Sequence, residues 1–129
     1  MQLKKGVKLI DEKPGDGEPV ERHKYYKLSI RVTLNKGDVV ISPNQCLGHT
    51  IDENIKLHEN GFFEHLVRID RENLIDGIFY TVDSMKVGGF RKVAISPHLA
   101  YGEKGIPGVV PENAKIIAEI YVLSGVEIG

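Results

Sequence analysis

An α+β domain, with an antiparallel sheet folded over a single helix, is the fold class that this sequence predicts. Three observations carry it. About five or six short stretches are rich in Val, Ile and Tyr or alternate apolar with polar residues, as strands do. Only one stretch, 70–89, repeats its apolar residues at helical spacing. A lone helix cannot build repeated βαβ units, so the sheet it covers is expected to be antiparallel.

In chain order, "VKLIDE" (7–12) reads as a strand, ended by the turn signal "KPGDG" at 13–17. "HKYYKLSIRVTL" (23–34) alternates and reads as a long strand. "NKG" (35–37) is a tight turn, and "DVVIS" (38–42) returns as a strand. Residues 43–61 are polar and aperiodic, and are expected to form a loop insertion outside the core. "FFEHLVRI" (62–69) is strand-like. In 70–89, Leu74, Ile75, Ile78, Phe79 and Val82 share one helical face. Asp70 is the expected N-cap, and Gly88 and Gly89 terminate the helix. "FRKVAIS" (90–96) and "AKIIAEIYVLS" (114–124) alternate as the closing strands.

The chain has 129 residues, which predicts one domain with a core that needs no staples. Net charge is −1 and apolar content is 41%, so nothing points to disorder, a nucleic-acid surface or acidic membranes. The single Cys46 allows no intrachain disulfide and fits a reducing compartment. The N-terminus lacks the apolar stretch of a signal peptide, and no apolar run approaches the roughly 20 residues of a membrane span. A monomeric cytoplasmic protein without nucleic-acid or membrane partners is expected. Cys46 and His49, with His58 later, raise the question of zinc. A structural zinc site takes four ligands, and one Cys with scattered His is a weak set, so no metal is expected. The five histidines are otherwise read as surface residues.

One loop is denser in Gly and Pro than a connection needs. "AYGEKGIPGVVPENA" (100–114) holds two prolines and three glycines around Tyr101, Ile106, Val109 and Val110. It either shapes a pocket or covers a core, and both readings are open for Val109 and Val110.

Residues 84–123, "SMKVGGFRKVAISPHLAYGEKGIPGVVPENAKIIAEIYVL", resemble the C-terminal half of FKBP-type peptidyl-prolyl cis-trans isomerases. The family pattern there runs roughly M-x-V-G-x-x-R-x-x-I-P-x-x-x-A-Y-G-x-x-G-x-P-x-x-I-P. "GVKLIDEKPGDG" (6–17) is similar to the family's opening strand and turn. The resemblance implies a curved antiparallel sheet wrapped around one helix. It implies isomerisation of Xaa-Pro bonds in proline-containing peptides or protein clients, without a cofactor.

The resemblance also implies a site. Tyr101 of the "AYG" motif would hydrogen-bond a ligand carbonyl, as the candidate catalytic residue. Val109 and Val110 would form an aliphatic wall, with Ile106 at the overhanging tip. The family's V-I-x-G-W pattern is met by Leu74-Ile75-Asp76-Gly77-Ile78, so Ile78 replaces the tryptophan floor. The F-D-S segment falls on Val40-Ile41-Ser42, so Ile41 replaces a carboxylate that bonds ligands. Ala118 replaces a phenylalanine of the last strand, and Val32 a tyrosine. A pocket so changed stays apolar but loses aromatic contact area, which implies weak isomerase activity. Phe62, Phe63 and Phe79 are candidates to refill the space. The alternative is an FKBP-like binding or scaffolding module whose catalytic pocket has decayed.

Overall fold

The computed structural model describes residues 2–35 and 55–127. Among the described residues seven strands form one antiparallel sheet: β1 (Gln2–Lys4), β2 (Val7–Lys13), β3 (Tyr25–Leu34), β4 (Ile55–Leu57), β5 (Phe63–Arg68), β6 (Phe90–Ile95) and β7 (Ile116–Val126). The single α-helix among the described residues is α1 (Asp76–Val82). The order across the sheet is β1-β2-β6-β7-β3-β5-β4. The long strands β3 and β7 pair along their whole length, with Ile30 opposite Ile120 and Val32 opposite Ala118.

The alternation read from the sequence is what divides the two faces of the sheet. Leu28, Ile30 and Val32 of β3, Val93 and Ile95 of β6, and Ile116, Ala118, Ile120 and Val122 of β7 are buried on one face. Their neighbours at odd register, such as Lys27, Arg31, Lys92 and Glu119, lie on the other face. Burial of one such aliphatic side chain contributes about 1.5–3 kcal/mol. Helix α1 lays Ile78, Phe79 and Val82 onto this core. It comes close because Gly77 has no side chain: a Cβ there would stand 2.3 Å from Ile95 Cγ2.

Three expectations change. The helix is 7 residues, not the whole of 70–89. Asp70 does cap, but it caps a separate turn: its Oδ1 accepts the N–H groups of Glu72 and Asn73 at 3.0 and 2.9 Å. The helix itself begins after Ile75, which offers no side-chain cap. Secondly, two three-residue strands add to the expected set. β4 lies inside the stretch read as a loop insertion, pairing Lys56 with Glu64, and β1 pairs with β2. Thirdly, His65 is buried rather than on the surface, because it points inward from β5 opposite Leu28. The expected strand 38–42, the rest of the insertion, and Cys46 and His49 lie outside the described residues. Among the described residues no cluster of His, Cys, Asp and Glu is arranged to hold a metal ion. No helix there is long and apolar enough to cross a membrane.

Candidate functional site

The site is built on the connection between β6 and β7. Pro97–Leu99 form one 3-10 turn, started by the fixed φ of proline. The amides of Ala100 and Gly102 both donate to the Pro97 carbonyl, at 2.9 and 2.7 Å. This coil holds Tyr101 half-buried against the core, with its hydroxyl buried. Next comes a tight hairpin. Ile106 N–H donates to the Val110 carbonyl at 2.9 Å, and Val110 N–H returns to the Ile106 carbonyl at 2.8 Å. The hairpin needs glycine at its entry. Gly105 has φ +62°, and a Cβ there would stand 2.2 Å from the Val110 oxygen. Asn113 N–H donates to the Glu103 carbonyl at 3.2 Å and closes the loop base.

The structure brings most of the expected residues to one place. Val110, Ile78 and Ala118 belong to the same buried cluster, and Tyr101, Ile106 and Val109 pack against it. Ile78 and Ala118 are both 0% exposed, so they lie within the core. Val32, opposite Ala118 on β3, is buried too. Val40 and Ile41 lie outside the described residues. Of the phenylalanines expected as replacements, Phe63 and Phe79 join the core. Phe62 does not: it sits beside Tyr121, with ring centroids 5.7 Å apart, on the opposite face of the sheet and under the Arg31 guanidinium.

A cleft of about 280 Å³ opens between the start of α1 and the 3-10 turn, and neither Tyr101 nor the 106–110 hairpin is among its lining residues. Leu74, Ile75, Leu99 and Ala100 supply apolar lining, and Arg71 and His98 stand among the polar residues. Arg71 is committed to Asp76 by two bonds of 3.1 Å. That pairing raises the Arg71 pKa. Below it, burial pushes the Asp70 carboxyl up, but its bonds to Arg68 at 2.5 Å and to Asn73 outweigh that and hold it below the ordinary carboxylate value. Sequence reasoning missed Arg71, His98 and Leu99 as lining residues. Their only signal is position, beside the Leu74-Ile75 pair and the "AYG" motif.

The loop groups Ile106, Val109 and Val110 around a tyrosine whose hydroxyl is buried, and the nearby carboxylates of Asp70 and Asp76 are already paired with arginines. It suits gripping an apolar ring rather than acid–base or nucleophilic chemistry. Comparison with known proteins agrees with that arrangement. The family described as FKBP-type peptidyl-prolyl cis-trans isomerase matches residues 31–123. FK506-binding protein 4 of Aspergillus oryzae is 32% identical over 119 residues, which cover 92% of this chain and 22% of that protein. The chloroplastic peptidyl-prolyl cis-trans isomerase FKBP16-4 of Arabidopsis thaliana is 44% identical over 55 residues, covering 43% of this chain and 24% of that protein. The chain thus spans about a fifth of the length of the full-coverage relatives. The crystal structure of FkpA from Escherichia coli has the same fold, with a TM-score of 0.64 and 23% identity over 95% of this chain and 52% of that one. The chain belongs to the FKBP-type peptidyl-prolyl cis-trans isomerase family.

Proposed function

We propose that this chain isomerises Xaa-Pro peptide bonds in protein clients, at a low rate on short peptides. The reaction crosses a barrier of about 18–20 kcal/mol that comes from amide resonance. Rotation about the C–N bond forms no covalent intermediate. A surface that binds the twisted amide better than either planar form is sufficient. Tyr101, Ile106, Val109 and Val110 form that surface. The hairpin holds its aliphatic wall, and the tyrosine hydroxyl orients the ligand carbonyl. The reading rests on one observation: the Tyr101 coil and the 106–110 hairpin pack on the same cluster as Ile78 and Ala118.

The low rate is traced to two of those residues. Ile78 and Ala118 offer less contact area than the aromatics that the family pattern places there, so less of the twisted amide is stabilised. The same observation supports a second reading, a binding module that holds proline-containing segments without turning them over. Catalysed exchange of an Xaa-Pro peptide, followed by NMR, separates the two: exchange above background supports isomerisation, and binding without exchange supports the module. The single Cys46, which allows no intrachain disulfide, supports a reducing compartment such as the cytoplasm.

A further inference from the structure

A second cleft, of about 190 Å³, lies at the other end of the helix, between the end of β2 and the segment 84–91. Its wall includes Arg91, which is 8% exposed. Four contacts describe that guanidinium. Nε donates to Glu12 Oε2 at 2.6 Å, and Nη1 donates to the Thr81 carbonyl at 2.8 Å and to Ser84 Oγ at 2.6 Å. Nη2 has only the Ser84 carbonyl at 3.5 Å, which is at the limit of a hydrogen bond. A planar guanidinium has five donors in a fixed fork. Arg91 therefore keeps donor capacity on Nη2 while sitting in a largely water-excluded wall. Two more cations, Lys13 and Lys86, line the cleft, and neither is in an ion pair among the described residues. Glu12 is the one acidic residue of the lining. The lining thus carries three formal positive charges against one negative. Lys13 is held at the rim by its place on β2, opposite Phe90.

We propose that this cleft is an anion site that takes a carboxylate or a phosphate group. Nη2 of Arg91 supplies an oriented donor, and Lys13 and Lys86 supply charge from the rim. Glu12 fills the Nε side of the guanidinium, so an incoming anion is left the Nη2 edge. The volume is too small for a drug-sized ligand, which takes about 300–1,000 Å³. The anion comes from free phosphate or from an acidic side chain of a bound peptide. The site is separate from Tyr101 and the 106–110 hairpin and does not depend on the isomerase reading.

The test uses the whole chain labelled with nitrogen-15, titrated with inorganic phosphate and, in a second arm, with an acetylated Asp-containing tripeptide. Sodium chloride at matched ionic strength is the control. Saturable shifts confined to the amides of Gly15, Gly89, Phe90 and Arg91 are expected with either probe, and the tighter probe identifies the source. Lys13→Gln with Lys86→Gln, both exposed positions, should weaken binding at least tenfold while the rest of the spectrum is unchanged. Unsaturated shifts spread over the basic surface, shifts equal to those with chloride, or unchanged affinity in the double variant would each overturn the site.

Discussion

Ile106 and Val110 close on each other through two backbone hydrogen bonds, 2.9 and 2.8 Å long, and this pair sets the shape of the loop that carries the candidate site. The bonds fix the hairpin from within, so its wall does not depend on a ligand to form. Val109 adds a third bond, its N–H donating to the Ile106 carbonyl at 2.9 Å.

The hairpin has one position with no room. Gly105→Ala puts a methyl group against the Val110 and Pro111 oxygens and strains a left-handed backbone. A loss of roughly 1–3 kcal/mol is expected in urea denaturation. Prolyl-ligand affinity should fall with it, because the wall shifts.

Tyr101 tests the ligand-binding role directly. Tyr101→Phe keeps the ring packed against the core and removes only the hydroxyl. Affinity for a prolyl ligand should fall by about one hydrogen bond, roughly 0.5–1.5 kcal/mol, read by calorimetry. A fall in melting temperature with affinity unchanged would make the hydroxyl a structural group.

The acid limb of stability has a named source. Asp70 and Asp83 are both held below the ordinary carboxylate value: Asp83 by its bond to Arg22, and Asp70 by Arg68 and Asn73 against an opposing burial effect. A depressed folded pKa contributes stability that is present above the unfolded pKa of about 3.9 and is lost as pH falls through the folded value. The urea midpoint should therefore hold between about pH 5 and 7 and drop below about pH 4. Asp70→Asn should cost about 1.5–3 kcal/mol at pH 7 and flatten the acid limb.

Much of this fold was legible because the strands alternate cleanly. Ile116, Ala118, Ile120 and Val122 fall on one face of β7, and that pattern is plain in the sequence. The burial of Arg91 was not legible, because its contacts to Glu12, 79 residues away, and to Thr81 and Ser84 at the end of the helix depend on how the chain folds back. β1 and β4 escaped because three residues are too few to show a period. The helix is shorter at both ends than the stretch 70–89, although its apolar spacing begins before it, at Leu74. That spacing runs on into 70–75, where the Asx bonds of Asp70 capture the backbone in a turn instead. After Val82, Asp83 and Ser84 form a turn leading to Gly88 and Gly89. Of the candidate site, the loop was legible from its Gly and Pro spacing. The complete burial of Ile78 and Ala118 was not, since it depends on how closely α1 approaches the sheet over Gly77.

Ile78→Trp restores an aromatic at a position with no exposed surface. Overpacking should cost about 1–3 kcal/mol of stability. Where the domain remains folded, prolyl-ligand affinity measured by calorimetry should rise, because the added ring supplies the missing contact area.

The central claim is that the hairpin, Tyr101 and a floor reduced to Ile78 and Ala118 still favour the twisted amide, but weakly. Catalysed cis-trans exchange of an Xaa-Pro peptide, measured by NMR on the unmodified protein with and without a macrolide inhibitor of the family, tests it most directly. The account predicts exchange above background, well below that of a relative with the aromatic floor, and little changed by the inhibitor. Full-strength turnover that the inhibitor abolishes would contradict it.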